Sequence, residues 1–252
     1  MKKALLKAMA FLLTLVIMLE SGDLPFAGLS ASAEKMPTVA EDTEEFIGVY
    51  TIEDLYNIRD DLDANYRLMN DIDLTQATAE GGDWDFMGNG WNPIGSNDVY
   101  GGETFTGIFD GGGHSITGMR IEVNEWPSNT SSTVYLGLFA RVSGEICDLH
   151  MADGKVESTN YHDNGQIYAG GIAGYSEAVI TGCSNTSSVL AYSRRNPHCH
   201  AYSGGIAGYS LGTISNCYNT GNISSCSDSH PYLYASSSSG GIAGRSDGTI
   251  ID

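Results

Sequence analysis

Gly170-Gly171-Ile172-Ala173-Gly174-Tyr175-Ser176 returns as Gly204-Gly205-Ile206-Ala207-Gly208-Tyr209-Ser210. With one change it returns again as Gly240-Gly241-Ile242-Ala243-Gly244-Arg245-Ser246. Nine residues after the second glycine of each copy stands an isoleucine: Ile180, Ile214 and Ile250. Two looser copies precede these, Gly137-Leu138-Phe139 with Ile146 and Gly107-Ile108-Phe109 with Ile116. Glycines 107, 137, 171, 205 and 241 are thus spaced by 30, 34, 34 and 36 residues. A period of this size marks a stacked repeat, in which each unit buries its apolar face only against its neighbours.

Solenoids of similar period can be helical, but these repeats are dense in Gly, Ser, Thr and β-branched residues, which disfavour helices. Three short strands per repeat are expected. The first holds Ile108, Leu138, Ile172, Ile206 or Ile242, the second holds the isoleucine nine residues on, and Val189 and Ile223 mark the third. Met119/Ile121, Leu149/Met151, Cys183/Asn185 and Cys217/Asn219 share one parity and are expected to point inward, with the asparagines bonding one another and nearby backbone. The fold class predicted is all-β, a right-handed parallel β-helix over residues 105–252 that breaks off within its last repeat, two residues past Ile250.

Residues 49–104 read as an N-terminal cap. Ile52, Leu55, Ile58 and Leu62 fall at helical spacing, and Thr51 with Asp54 resembles a capping pair. A short helix here would cover the apolar end of the stack, as terminal units require. Tyr66 to Leu74 alternates as one half-buried strand, with Tyr66, Leu68, Asn70, Ile72 and Leu74 on one side and Asp71 and Asp73 on the other. Gln76 to Val99 reads as a long loop holding Trp84, Trp91 and the Pro93-Ile94-Gly95 turn.

The start of the chain reads as a secretory signal over residues 1–33. Lys2, Lys3 and Lys7 precede the apolar run Ala8 to Leu19, and Ala31-Ser32-Ala33 offers small residues for cleavage. That run is short for a membrane span, so no span is expected once it is removed. Residues 34–48 read as an acidic, flexible lead-in. The chain carries 31 acidic against 12 basic side chains, a net charge of −19, and Glu34 to Asp110 holds 18 of the acids. Such a surface repels nucleic acid and anionic lipid.

Five cysteines are an odd number for an exported chain. Cys183 and Cys217 hold the same place in consecutive repeats; they read as small side chains in one buried ladder, the alternative being a bridge between coils. The absence of any CxxC pair leaves a thiolate metal site unsupported.

The remaining candidates for chemistry each have a plain structural reading. Asp110-Gly111-Gly112-Gly113-His114 suggests an Asp–His pair, but its place is that of an ordinary turn. Asp71/Asp73 and Asp83/Asp85 are the only start of a Ca²⁺ site, which needs six to eight oxygens. His198-Cys199-His200 lacks distant partner ligands, so no catalytic, cofactor or metal residue is assigned. Tyr175 and Tyr209, and Tyr168 and Tyr202, sit at matching places in adjacent repeats and are expected to stack as ladders. With Trp84 these four tyrosines are the candidate ligand-contact residues, since exposed rings hold sugar or peptide whereas buried ones only pack. The insertions Ser193 to Ala201 and Ser227 to Ala235 project from one place per coil.

Residues 137–252 resemble the GLUG-motif repeats of bacterial surface proteins. The match lies in the Gly-Gly-Ile-Ala-Gly copies and in Gly212-Thr213-Ile214-Ser215-Asn216-Cys217-Tyr218-Asn219-Thr220-Gly221. The upstream text also resembles what precedes such repeats: Ile52 to Leu62, Asn70-Asp71-Ile72-Asp73-Leu74, Trp91-Asn92-Pro93-Ile94-Gly95, and Phe105 to His114. The resemblance implies a secreted or wall-associated bacterial protein. Some similar proteins are IgA-cleaving metallopeptidases whose protease domain lies elsewhere, and no His-Glu-x-x-His occurs in this chain. The function expected is a non-enzymatic extracellular module for adhesion, display or contact with surface polysaccharide or host protein, joined to further domains downstream. The alternatives are a polysaccharide-acting β-helix enzyme and the non-catalytic N-terminal part of a larger surface metallopeptidase.

Overall fold

The computed structural model describes residues 45–95, 103–124, 133–160, 166–194, 200–228 and 236–251. The leader expected at 1–33, residues 34–44 of the lead-in, and His198 and Cys199 lie outside the described residues.

The chain is a parallel β-solenoid. Each full coil has five short strands, two more than the repeat suggests. One coil runs Gln166–Gly170, Ala173–Ser176, Val179–Thr181, Ser184–Asn185 and Ser188–Arg194. The next runs His200–Gly204, Ala207–Ser210, Thr213–Ser215, Tyr218–Asn219 and Ile223–Asp228, and the coil Thr133 to Asn160 precedes both. Like strands pair in parallel from coil to coil, giving five sheets. The repeat suggested that Ile172 and Ile206 lie in a strand, but they do not. They sit at the bend between the first two strands, fully buried, and the corner resolves one expected strand into two.

Inward ladders hold the coils together. Tyr66, Phe109, Ile146, Ile180, Ile214 and Ile250 form one column, and Ile121, Val156, Val189 and Ile223 another. Burying one such side chain is worth about 1.5–3 kcal/mol. A third column runs Ile72, Ile116, Met151, Asn185 and Asn219.

These columns correct the register of the first repeat. Ile108 and Phe109 pair with Glu145 and Ile146, not with Leu138 and Phe139, and Ile116 pairs with Met151, not Ile146. The repeat contains two glycine columns seven residues apart, and Gly107 belongs to the later one. A Cβ on Gly144 would lie 1.9 Å from the Gly107 carbonyl oxygen, and one on Gly212 would lie 2.0 Å from that of Ala178. The rung beside Phe139 comes instead from the stretch read as a loop: Ile94, fully buried, bridges Phe139, and Phe105 bridges Val142. Phe105, Phe109 and Phe139 then fill the core between them, with ring centroids 5.0 and 5.4 Å apart.

The N-terminal side is closed by a strand and a helix. The strand Phe46–Val49, which starts in the expected lead-in, extends the longest sheet by pairing with Asn65–Leu68. Helix α1 (Ile52–Asn57) continues as a 3₁₀ turn over Ile58–Asp60 and buries Leu55 and Ile58. Its start is the expected capping box: the Asp54 amide donates to Thr51 Oγ1 at 3.1 Å, and the Thr51 amide donates to Asp54 Oδ2 at 2.9 Å. The strand expected over residues 66–74 is two, Asn65–Leu68 and Ile72–Asp73, because the chain turns a corner between them. Asn70 lies exposed at that corner, its side chain donating to the Tyr50 carbonyl at 3.1 Å.

Coil length varies at more than one corner: Asp110 pairs with Cys147 but Ser115 with His150, so the first coil is longer at that turn. Register is offset by 34 residues through Ser193↔Ser227 and by 36 from His200↔Ser236 onward. The two extra residues therefore enter between the fifth strand of one coil and the first strand of the next.

Candidate functional site

The sequence placed four tyrosines in two columns, and the structure brings them into one strip. Tyr135, Tyr168 and Tyr202 occupy successive rungs of the first sheet. Their rings stack at 5.6 and 5.2 Å with interplanar angles of 11° and 7°. Beside them, on the second sheet, stands the column Arg141, Tyr175, Tyr209, Arg245. Tyr175 and Tyr209 meet edge to face at 5.5 Å, and Tyr168 joins the columns by stacking 5.5 Å from Tyr209. Arg141 lies 5.2 Å over Tyr175 and Arg245 lies 4.7 Å over Tyr209, both within cation–π range.

Tyr135, Arg141 and Arg245 were missed as members of this strip. The two arginines stand four residues after Gly137 and Gly241, the offset of Tyr175 and Tyr209, so the column was readable once residue identity was ignored.

Much of each ring face is covered by another ring or a guanidinium. The strip therefore offers ring edges, hydroxyls and charged tips. Tyr168 donates to Gln166 Oε1 at 2.6 Å, Tyr175 to Glu177 Oε1 at 2.8 Å, and Tyr209 to Asp247 Oδ2 at 2.6 Å. Burial pushes the Tyr168 and Tyr175 phenols up to about 12, and the bond to Asp247 raises that of Tyr209. All three stay protonated donors at neutral pH. Tyr209 and then Arg245 hold the Asp247 carboxyl below its usual range. His200, the described member of His198-Cys199-His200, stacks 6.1 Å from Tyr202 and bonds Ser236 Oγ at 2.6 Å.

Trp84 is not part of the strip. It packs 4.3 Å from Tyr56 of helix α1, and Arg59 lies 3.6 Å over the same Tyr56 ring. The contact locks the loop after residue 76 onto the helix.

Asp71, Asp73, Asp85 and Asp110 are engaged locally. His114 faces Asp71 at 3.5 Å, not Asp110. Asp110 binds Arg67 at 2.6 Å and accepts the Gly112 amide at 2.7 Å, so Asp110 to His114 forms a turn, with positive φ at Gly112 and Gly113. Asp71 accepts the Ser115 amide and Asp73 the Thr75 amide, both at 2.8 Å. Asp85 accepts the Gly81 and Gly90 amides at 2.8 and 2.7 Å and faces Arg120 at 3.4 Å. Asp110, Cys147 and Asp148 could bring three ligand atoms within 4.8 Å of one another. However, Arg67 already neutralises Asp110, and burial first, then the neighbouring acids, push the Cys147 thiol up to about 12.

The bonds to Asp85, led by that from Gly81, hold its carboxyl below the ordinary range. A lowered folded value means that the stabilisation is complete above the unfolded value, about 4, and fades as pH falls through the folded one. Tryptophan fluorescence should therefore report loss of N-terminal packing below about pH 4. Asp85→Asn should make that acid limb shallower.

Residues 200–224 match the family model described as "Glug: The GLUG motif". The chain carries the GLUG motif. The match runs from the first strand of one coil into its fifth. No curated protein and no solved structure matches the chain.

The letters of the GLUG repeat follow from contacts between coils. A Cβ on Gly171 would lie 2.5 Å from the Gly205 oxygen and 2.6 Å from the Asn185 side chain. That asparagine, fully buried, donates to Asn219 Oδ1 at 2.9 Å and to the Ser187 carbonyl at 3.0 Å, and it accepts the Ser187 amide at 3.1 Å. Asn219 repeats the pattern with Gly221. The inward asparagine ladder is thus as the sequence predicts. Asn185→Leu should cost about 1–3 kcal/mol in urea unfolding, because it strips partners from the Ser187 amide and from Asn219.

Proposed function

We propose that this chain is a non-enzymatic GLUG-repeat module, secreted or held on a bacterial cell surface, that contacts surface polysaccharide or host protein through its tyrosine–arginine strip. The strip carries the proposal. Tyr135, Tyr175, Tyr202 and Tyr209 with two arginines share one outer corner around the buried Tyr168, and Tyr and Arg are the residue types enriched where proteins meet partners. Tyrosine supplies rigid area and a hydroxyl at low entropic cost, and the ladder pre-orders it further. The leader-like start of the sequence supports export, and the local engagement of Asp71, Asp73, Asp85 and Asp110 speaks against a polysaccharide-cleaving centre.

The test is binding of the purified chain to immobilised neutral β-glucan, a polyuronate and a fibrous extracellular-matrix protein. Binding to at least one should weaken tenfold or more in Tyr175→Ser/Tyr209→Ser while Tyr218→Ser, an exposed tyrosine on another sheet, leaves it unchanged. Retention by none of the three, or retention indifferent to the double change, overturns the proposal.

A further inference from the structure

Cys183 and Cys217 hold the same place on consecutive coils. The pairs on either side of them are in register: Thr181 with Ser215 and Ser184 with Tyr218. One coil spacing, about 4.8 Å, separates such positions, inside the Cα separation of about 4.4–6.8 Å that a disulfide spans. The Cys217 sulfur also leans toward the lower coil, where it accepts the Cys183 amide at 3.4 Å. Both groups are free thiols in the structure, Cys183 buried and Cys217 partly open. Each sits just outside a strand, and the Tyr218 amide donates to the Cys183 carbonyl at 3.1 Å, which holds the two coils together at this point.

We propose that Cys183 and Cys217 form a disulfide that ties one GLUG coil to the next when the chain meets a low-molecular-weight disulfide. The Cys217 thiolate attacks one sulfur of glutathione disulfide, forming a mixed disulfide and releasing glutathione thiolate. The Cys183 thiol then loses its proton to that thiolate, and its sulfur attacks Cys217, expelling the second glutathione. Two protein thiols become one disulfide, and one glutathione disulfide becomes two glutathiones. The order follows from exposure, and the electrostatics agree. The closeness of the two thiols draws Cys217 below the usual thiol range and pushes Cys183 above it. Cys147 has Thr181 as its neighbour on the next coil, and Cys226 pairs with Tyr192, so neither has this stacking.

The test is to equilibrate the purified chain with glutathione disulfide, alkylate the remaining thiols, digest, and map the products by mass spectrometry. The expected product is one cross-linked species joining Cys183 to Cys217, lighter by two hydrogens and abolished by reductant. Cys147→Ser and Cys226→Ser should both retain it. Recovery of Cys183 and Cys217 as alkylated thiols, or of either bridged to another cysteine, overturns the proposal. The wild-type map decides alone, even where a variant fails to fold.

Discussion

Ile206→Asp is expected to remove at least about 4 kcal/mol of stability, enough to unfold most domains of ordinary stability near room temperature. Ile206 is fully buried at the corner between two strands. The carbonyl of Ile206 accepts the amides of Ile172 and Ala173, and its own amide donates to Ile242. An aspartate there has no cation to meet, so it is either a bare buried charge or a proton-binding burden. Urea unfolding followed by circular dichroism measures the loss. Ile251→Asp is the control, since Ile251 is 52% exposed and should change stability by no more than about 0.5 kcal/mol. An unchanged midpoint for Ile206→Asp would refute the inward ladder.

The second large effect separates two glycines of identical motif position. Gly205→Ala should cost about 1–3 kcal/mol, the range for overpacking a filled site. Its Cβ would lie 2.1 Å from the Gly241 oxygen and 2.4 Å from the Asn219 side chain. Gly241→Ala should be near neutral, because a Cβ there meets nothing within 4 Å. Thermal melts of the two variants make the comparison directly. Equal losses would mean that the motif glycines serve chain flexibility and not the closeness of coils.

The parts of this fold that were legible are those where the sequence repeats a physical requirement. Asn185 and Asn219 recur because a buried amide needs a partner on the next coil. Thr51 and Asp54 announce a helix start because the first amides must be satisfied. Tyr175 and Tyr209 recur because columns align. The first coil was misread because Gly107-Ile108-Phe109 shares letters with Gly137-Leu138-Phe139 while sharing shape with Gly144-Glu145-Ile146. Coil pairing responds to which glycine lets backbones touch and which ring fills the core. Ile94 completes a rung from a segment with no repeat letters at all, so only volume and geometry identify it. The strip was half legible for a similar reason: Arg141 and Arg245 occupy tyrosine places, and a search by residue type passes over them.

The two residues that lengthen the last spacing enter at a single corner, and every ladder on either side keeps its register. That corner behaves as an insertion port. Segments of foreign sequence grafted between Arg194 and His200 should leave the core untouched, and several such grafts would be carried in a row at the pitch of the coils. Added length at this place changes what the chain presents at little cost in folding, while beneath it Gly171 and Gly205, pressed against the next coil and the buried asparagines, leave no room for a larger side chain.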